Sequence, residues 1–137
     1  MLSEFVKSST ATSLKIDNTP SLEIISKLQT LCIEVLEPLR EHFNCPIIIG
    51  SGYRCSALNK VVGGVKNSQH MTGEACDIHI PDEETGKSWF TWLMDQKFDQ
   101  LIWEKSTPSS THHWIHVSFK QSGTQRQHVI QNLIKNK

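Results

Sequence analysis

The most informative segment of the chain reads Ser68-Gln69-His70-Met71-Thr72-Gly73-Glu74-Ala75-Cys76-Asp77. Its first half is polar and closes on a glycine, a composition typical of a turn. Its second half opens an alternating segment, residues 75–80, which Pro81 ends and which predicts a β-strand. The segment therefore predicts a turn followed by a strand, with His70 before the turn and Asp77 on the strand.

Upstream of this segment the sequence predicts a long helix and a short strand. Thr19 as N-cap and Pro20 at the first helical position mark the helix start. Apolar residues then recur at spacings of three and four, which predicts a helix of about six turns that Pro38 kinks. These residues are Leu22, Ile25, Leu28, Cys32, Val35, Leu36, Leu39 and Phe43. The β-branched run at residues 47–49 predicts a buried strand.

Downstream, the pattern completes an α+β domain. Residues 50–73 are glycine-rich and predict loops with one short helix at 56–61. A second helix is predicted at 82–96 and two further strands at 99–104 and 114–119. Helices followed by paired strands predict a small antiparallel sheet packed against helices. We expect residues 1–137 to form one domain, with an arm at 1–18 and a basic tail at 120–137 that forms a solvated helix.

Composition excludes several classes of protein. The 137 residues carry 14 Lys or Arg against 14 Asp or Glu, so the formal net charge is zero, which argues against a nucleic-acid binder. No apolar run approaches the length of about 20 residues that a membrane span needs. The N-terminus lacks the apolar run of a secretory signal, so we expect a protein that is cytoplasmic as synthesised. We also expect a monomer that does not insert into membranes.

Three residues suit a hydrolytic zinc site: His70, Asp77 and His116. Zinc in such a site takes three nitrogen or oxygen ligands from the protein and leaves one position for water, whose pKa falls to about 7. The turn after His70 can bring it to Asp77, and His116 would come from a distant strand. The cysteines form no C-x-x-C pair, which disfavours a structural cysteine–zinc site.

Three motifs together resemble the zinc D-alanyl-D-alanine carboxypeptidases of peptidase family M15, which include phage endolysins. The motifs are Ser51-Gly52-Tyr53-Arg54, His70-x-x-Gly73-x-x-x-Asp77 and Trp114-Ile115-His116. The resemblance covers nearly the whole chain and is greatest to the small single-domain branch. It implies a D,D-peptidase-like zinc fold in which His70, Asp77 and His116 bind Zn²⁺. It also implies that Arg54 holds the substrate carbonyl and its developing oxyanion, and that Ser68 and Tyr53 lie against the substrate.

The general base departs from the pattern of many relatives, which carry Glu or Asp three residues before the last zinc histidine. This chain has His113 there, and a neutral imidazole can accept a proton from water. The other candidate is Glu104, at the end of the predicted strand 99–104. We favour Glu104, but a slip of one residue in strand pairing would turn it to the other face, so both candidates stay open.

The resulting hypothesis is a zinc metallopeptidase that hydrolyses peptide bonds in the stem peptides of bacterial peptidoglycan. It would act as a D,D-carboxypeptidase or as an endolysin-type endopeptidase, and the latter suits a phage or prophage lysin that reaches the cell wall after release. The alternative is a catalytically inactive, zinc-stabilised binding module on the same fold. A nucleic-acid binder would rest only on the basic tail, and the zero net charge opposes it.

Overall fold

The computed structural model of the protein describes residues 2–107 and 112–134. In this part of the chain six α-helices lie at Leu2–Val6 (α1), Ser9–Ser13 (α2), Leu22–Leu31 (α3), Glu37–Phe43 (α4), Ser56–Val61 (α5) and Glu83–Met94 (α6). Five strands lie at Ile48–Ser51 (β1), Ala75–His79 (β2), Gln100–Lys105 (β3), His113–Ser118 (β4) and His128–Ile134 (β5). A π-helical segment, Cys32–Leu36, joins α3 to α4, and a 3₁₀ turn, Gln69–Thr72, precedes β2.

The strands form one sheet in the order β1-β2-β4-β3-β5, in which every neighbouring pair except β3 and β5 is antiparallel. The α+β class predicted from the sequence is thereby confirmed. The predicted antiparallel pairing holds for β1, β2, β4 and β3, and β5, which was not predicted, adds one parallel pair. The centre of the sheet sets the register of the site, because Asp77 lies opposite His116 and His116 lies opposite Ile102.

The two faces of the sheet differ in character. Side chains on one face enter the hydrophobic core with those of α3, α4 and α6; from the sheet these are Cys76, Ile78, Leu101, Trp103, Ile115 and Val117. Since side chains alternate along a strand, Asp77, Glu104 and His116 lie on the opposite face. The alternation thus separates an apolar face that packs from a polar face that can carry chemistry.

The first long helix begins later than predicted. Ser21 is its N-cap, and its hydroxyl accepts a hydrogen bond from the Ile24 amide at 3.3 Å. Thr19, the predicted cap, instead donates from its amide and its hydroxyl to the carboxylate of Asp17, at 3.1 and 2.6 Å. The Asp17 side chain therefore closes a turn before the helix, a use of aspartate that competes with capping.

The predicted interruption at Pro38 takes the form of a wider helical turn. The π-helical segment Cys32–Leu36 ends directly before the helix that contains Pro38. Proline has no amide hydrogen, and its ring clashes with the carbonyl four residues earlier in a regular α-helix. A single π turn relieves this conflict while the apolar stripe continues, so that Leu28 and Leu39 both stay buried.

The predicted solvated helix after Lys120 is wrong. Residues 128–134 form β5, which pairs in parallel with β3, and Val129 packs against the core. Arg126 fixes the start of this strand by binding the buried carboxylate of Asp99. Pairing with the open edge of β3 satisfies backbone groups along a whole strand, whereas a short isolated helix in water is only marginally stable.

The N-terminal arm is helical and contacts the loop after β1. Ser8 caps α2 through a hydrogen bond from the Ala11 amide at 3.1 Å, and Phe5 on α1 is buried. The carbonyl of Phe5 accepts from the Tyr53 amide at 2.6 Å. Asn18 donates to the Tyr53 carbonyl at 3.0 Å, which ties the end of the arm to the same loop.

The remaining predicted boundaries lie within two residues of the observed ones, and the differences fall at the ends of elements, where sequence patterns carry the least information. The helix at 56–61 matches its prediction. Within the part of the chain that the structure describes, no helix combines the length and the apolarity needed to cross a bilayer.

Candidate metal centre

His70 is held in a fixed orientation by its own loop. It lies in the 3₁₀ turn Gln69–Thr72, where the Ser68 hydroxyl accepts from the His70 amide at 3.2 Å. The imidazole Nδ1 donates to the carbonyl of Gly52 at 2.7 Å, because a carbonyl oxygen can only accept. The neutral ring therefore keeps its lone pair on Nε2, which is the arrangement that metal-binding histidines use.

Asp77 and His116 meet His70 at the polar face of the sheet. His116 Nδ1 lies 3.1 Å from Asp77 Oδ1, and His70 Nε2 lies 3.3 Å from the same oxygen. One ligand atom from each of the three residues lies within 4.8 Å of the others, and all three residues are buried. The turn and the strand pairing thus bring together three residues that are far apart in the sequence.

The cluster fits a zinc ion on three grounds. His70 Nε2 is fully buried and has no hydrogen-bond partner among the described residues, a costly arrangement unless another group binds its lone pair. The separations of 3.1 and 3.3 Å are close to the distance of about 3.4 Å between ligands of a tetrahedral ion with bonds near 2.1 Å. Two imidazole nitrogens and one carboxylate oxygen also form a ligand set that zinc accepts.

The carboxylate of Asp77 stays ionised in this environment. Burial raises its pKa, but the neighbouring imidazoles of His70 and His116 outweigh burial and hold the pKa well below its ordinary value. A ligating carboxylate has to be deprotonated, so the two histidines prepare Asp77 to bind a cation.

Glu104 lies beside the cluster. Its Oε1 is 3.9 Å from His116 Nδ1, and the residue is 1% exposed. The cause is the β3–β4 register, in which Ile102 lies opposite His116 and Glu104 follows two residues later on the same face. A buried carboxylate at this distance from the cluster can reach a water molecule bound next to it.

His113 lies on the other face of the sheet. It pairs with Lys105, three residues before His116, and its Nδ1 accepts from Trp103 Nε1 at 3.1 Å. The two rings line a cavity against α6, with Phe90 among its walls. His113 and His116 are three residues apart, and an odd spacing along a strand places two side chains on opposite faces of the sheet. The structure therefore does not bring His113, the other candidate base, to the cluster.

Arg54 is 3% exposed, and Ser68 lies next to it. The guanidinium donates from Nη2 to the Ser68 hydroxyl at 3.3 Å and from Nε to Asn59 Oδ1 at 3.2 Å. Burial lowers the pKa of Arg54, and the carboxylates of Asp77 and Glu104 partly offset this effect. Arginine stays charged at such a site because its ordinary pKa exceeds 12, so a cation faces the two carboxylates.

Two clefts meet at the backbone of Gly50 and Ser51. One of about 230 Å³ lies beside Asp77 and is lined further by His79, His112 and Trp114. The other, of about 190 Å³, lies between the N-terminal arm and Arg54, and the half-buried Tyr53 forms part of its wall. The structure therefore places Tyr53 next to Arg54 but in a different cleft from the one beside Asp77.

A scan against protein-family models matches residues 1–118 to the family described as Peptidase M15. The chain belongs to the peptidase M15 family. The match includes every residue of the cluster, together with Arg54 and Glu104. None of the curated proteins matches the chain. The resemblance stated from the three motifs is confirmed at the level of the family.

Two supports of this M15 site were not predicted from the sequence. The Gly52 carbonyl that orients His70 comes from a loop 18 residues earlier in the chain, and the Asn59 amide that binds Arg54 comes from α5, five residues later. Backbone carbonyls carry no sequence signal at all. Asn59 lies inside a predicted helix, where nothing in the pattern marks one polar side chain as buried.

Proposed function

We propose that the protein is a zinc-dependent peptidase that hydrolyses peptide bonds in the stem peptides of bacterial peptidoglycan. Membership of the M15 family supports peptide hydrolysis. The observation that carries the zinc dependence is the buried cluster of His70, Asp77 and His116, with Glu104 beside it. The cell-wall substrate rests on the resemblance of the three motifs to D-alanyl-D-alanine carboxypeptidases and endolysins.

The cluster would hold zinc through His70 Nε2, a carboxylate oxygen of Asp77 and His116 Nδ1. When bound, zinc supplies a Lewis acid that acidifies water and polarises the substrate carbonyl. The protein fixes these ligands before binding, because Gly52 orients His70 and the strand register orients the other two. Contacts of this kind, made to the ligand residues by groups that do not bind the metal, set the orientation and basicity of the ligands.

Glu104 is the proposed general base. Its carboxylate takes a proton from the attacking water and returns it to the nitrogen of the departing amine. Positioned acid–base catalysis of this kind accelerates reactions by about 10²- to 10⁴-fold. The side chain is buried on the same face as His116, so bulk water does not compete for the proton.

Arg54 is the proposed electrophile that binds the carbonyl oxygen as negative charge develops on it. A guanidinium already fixed in place stabilises that charge without having to reorganise. Ser68 acts on the substrate through Arg54, since its hydroxyl accepts from Nη2. Tyr53 contributes to the wall of the cleft next to Arg54, where a peptide side group can lie.

The two forms of the proposal differ in the peptide bond that is hydrolysed. A D,D-carboxypeptidase removes the terminal residue of a stem peptide, whereas an endolysin-type endopeptidase cuts within the peptide or its cross-bridge. The endopeptidase form would act on the cell wall after release, as a phage or prophage lysin does. Mass spectrometry of the released fragments distinguishes the two directly.

The test is mass spectrometry of defined muropeptides incubated with the purified protein, before and after chelation and after zinc is added back. We expect fragments that a chelator abolishes and zinc restores. Asp77→Asn should lose both bound zinc and activity, whereas Asp95→Asn, at an exposed position remote from the cluster, should lose neither. Cleavage that persists unchanged in chelator would refute zinc dependence. Zinc binding without any cleavage would support the inactive, zinc-stabilised module instead.

A further inference from the structure

Asn59 occupies a buried position between Arg54 and the loop that follows α5. The residue is 4% exposed, although asparagine is usually a surface residue. Its Oδ1 accepts from Arg54 Nε at 3.2 Å and its Nδ2 donates to the carbonyl of Val65 at 2.9 Å. The amide group therefore connects the guanidinium to the backbone of that loop, and each of its two polar atoms has a partner.

The loop is shaped around this amide. A Cβ placed on Gly64 would overlap Asn59 Oδ1 and would approach Arg54 Nη2 to 3.1 Å. The backbone at Gly64 thus passes directly against the contact between Asn59 and Arg54. Asn59, which accepts from Nε, and Ser68, which accepts from Nη2, fix the guanidinium at two of its three nitrogens.

The third nitrogen is the one that stays available. Among the described residues, Arg54 Nη1 has no hydrogen-bond partner. A planar guanidinium held at Nε and Nη2 has its plane and its remaining N–H directions determined. The direction in which Nη1 can donate is therefore set by Asn59 and Ser68.

We propose that Asn59 is a positioning residue that orients the Arg54 guanidinium towards the substrate carbonyl oxygen. The catalytic part of this inference rests on the proposed function, whereas the orientation of Arg54 does not. A misplacement of about 1 Å in a catalytic group can lower a rate by about 100-fold. Losing the Asn59 contact should therefore reduce turnover without removing any group that touches the substrate.

The first experiment measures orientation independently of activity. The Arg54 Nε–H signal is assigned in ¹H–¹⁵N spectra by its disappearance in Arg54→Lys, and its hydrogen exchange is then measured. We expect slow exchange in the wild type and in Asn67→Ala, an exposed asparagine of the same loop. Asn59→Ala should accelerate the exchange at least tenfold. Unchanged exchange in Asn59→Ala would overturn the proposal, even if the protein proved to have no peptidase activity.

The second experiment is a double-mutant cycle on muropeptide hydrolysis. Asn59→Ala should lower kcat about 10- to 100-fold with little change in KM, and it should cost nothing further when Arg54 is already alanine. A purely structural role would give the same loss in both backgrounds, and that result would overturn the proposal. If Asn59→Ala fails to fold, Gly64→Ala, which displaces the same amide, takes its place in both experiments.

Discussion

Glu104 and His113 show at the level of single residues how strand alternation separates two side chains that the sequence makes equal candidates. They lie one pair apart in the β3–β4 ladder, since Glu104 lies opposite Trp114 and Lys105 lies opposite His113. That single step places Glu104 at the metal-ligand cluster and His113 against α6. The chemical roles of the two residues should differ accordingly.

Replacing Glu104 with glutamine should lower kcat on a muropeptide substrate by about 100-fold or more, because the amide cannot take a proton from water. The zinc content should stay the same, since Glu104 is not among the three ligands. His113→Gln is the matched control and should keep kcat within about twofold of the wild type, because its ring lies on the other face of the sheet. A steady-state assay with metal analysis of each variant checks both expectations. A large loss in His113→Gln with full activity in Glu104→Gln would reverse the assignment.

The three candidate ligands were predictable from the sequence because residue type and spacing are sufficient to suggest a zinc site. The position of the two candidate bases relative to the cluster was not predictable to the same degree. It depends on strand register, and a shift of one residue reverses every side chain on the strand. The contact between Gly52 and His70 was not predictable at all, because it uses a backbone carbonyl.

The turn between His70 and Asp77 is the element on which the candidate site depends. Gly73 ends the 3₁₀ turn with φ of +78°, a left-handed conformation that side chains with a Cβ adopt at a cost. A Cβ there would also lie 2.8 Å from the carbonyl of Ile24 on α3. Any other residue at position 73 would therefore meet both a steric clash and a strained backbone conformation.

Gly73→Ala should destabilise the fold by about 1 to 3 kcal/mol, because backbone strain and overpacking act at the same position. It should also weaken zinc binding, since the shifted turn carries His70. Urea unfolding and a competitive zinc titration measure the two effects. Gly123→Ala is a useful comparison, because its φ is also positive but a Cβ there would meet nothing within 4 Å. Equal zinc affinity in wild type and Gly73→Ala would contradict the link between the turn and the site.

At the level of elements, local patterns predicted the helices from α3 to α6 and the central strands, whereas α1, α2 and β5 were not predicted. Pro38 was correctly expected to interrupt the first helix, but sequence rules do not distinguish a kink from a π turn. The tail was predicted as a helix, yet the open edge of β3 stabilises it as a strand. Parallel pairing between distant segments leaves no local sequence signature.

Across the whole molecule, Asp99 connects the C-terminal segment to the candidate site. Its carboxylate is fully buried and binds Arg126 through Nε and Nη2, with Lys120 Nζ at 3.7 Å. It also accepts from the side chain of Gln69, which directly precedes His70, at 2.9 Å. Lys120 and Arg126 lie beyond residue 118, where the match to the M15 family ends.

The stability of the protein should fall in acid partly because of this carboxylate. Burial raises the pKa of Asp99, but the hydrogen bonds from Arg126 and Gln69 outweigh it and lower the pKa from 3.8 to about 2. Its stabilisation is therefore complete only above about pH 5 and is lost as the pH falls through about 2. The shift corresponds to about 1 to 2 kcal/mol once screening of the half-exposed Arg126 is considered.

Chemical unfolding of the wild type and Asp99→Asn between pH 6 and pH 2 checks this expectation. Asp99→Asn should be less stable by about 1 to 2 kcal/mol near neutral pH, and the difference should shrink as the wild-type carboxylate takes up its proton. Asp95→Asn, at an exposed position on the same segment, should show no such convergence. A difference that stays constant across the range would contradict the assigned pKa.

The α+β architecture was predictable because helix and strand periodicities alternate along the chain in a simple order. The arrangement of the ends was not. The sequence indicated an arm but neither of its two helices, and the tail was expected to be a solvated helix. Phe5 accepts a hydrogen bond from the Tyr53 amide, and Arg126 binds Asp99, which also accepts from Gln69 next to His70.

Each of these two attachments leads to a residue that neighbours His70, either in space or along the chain. The arm reaches Gly52 through its neighbour Tyr53, and the tail reaches Gln69 through Asp99. A ribosome synthesises Arg126 long after the histidine itself, so a nascent or proteolytically clipped polypeptide lacks one of the two attachments. A chain shortened before Arg126 would leave Asp99 without that partner beside Gln69, and we expect such a product to bind metal less tightly than its sequence motifs suggest.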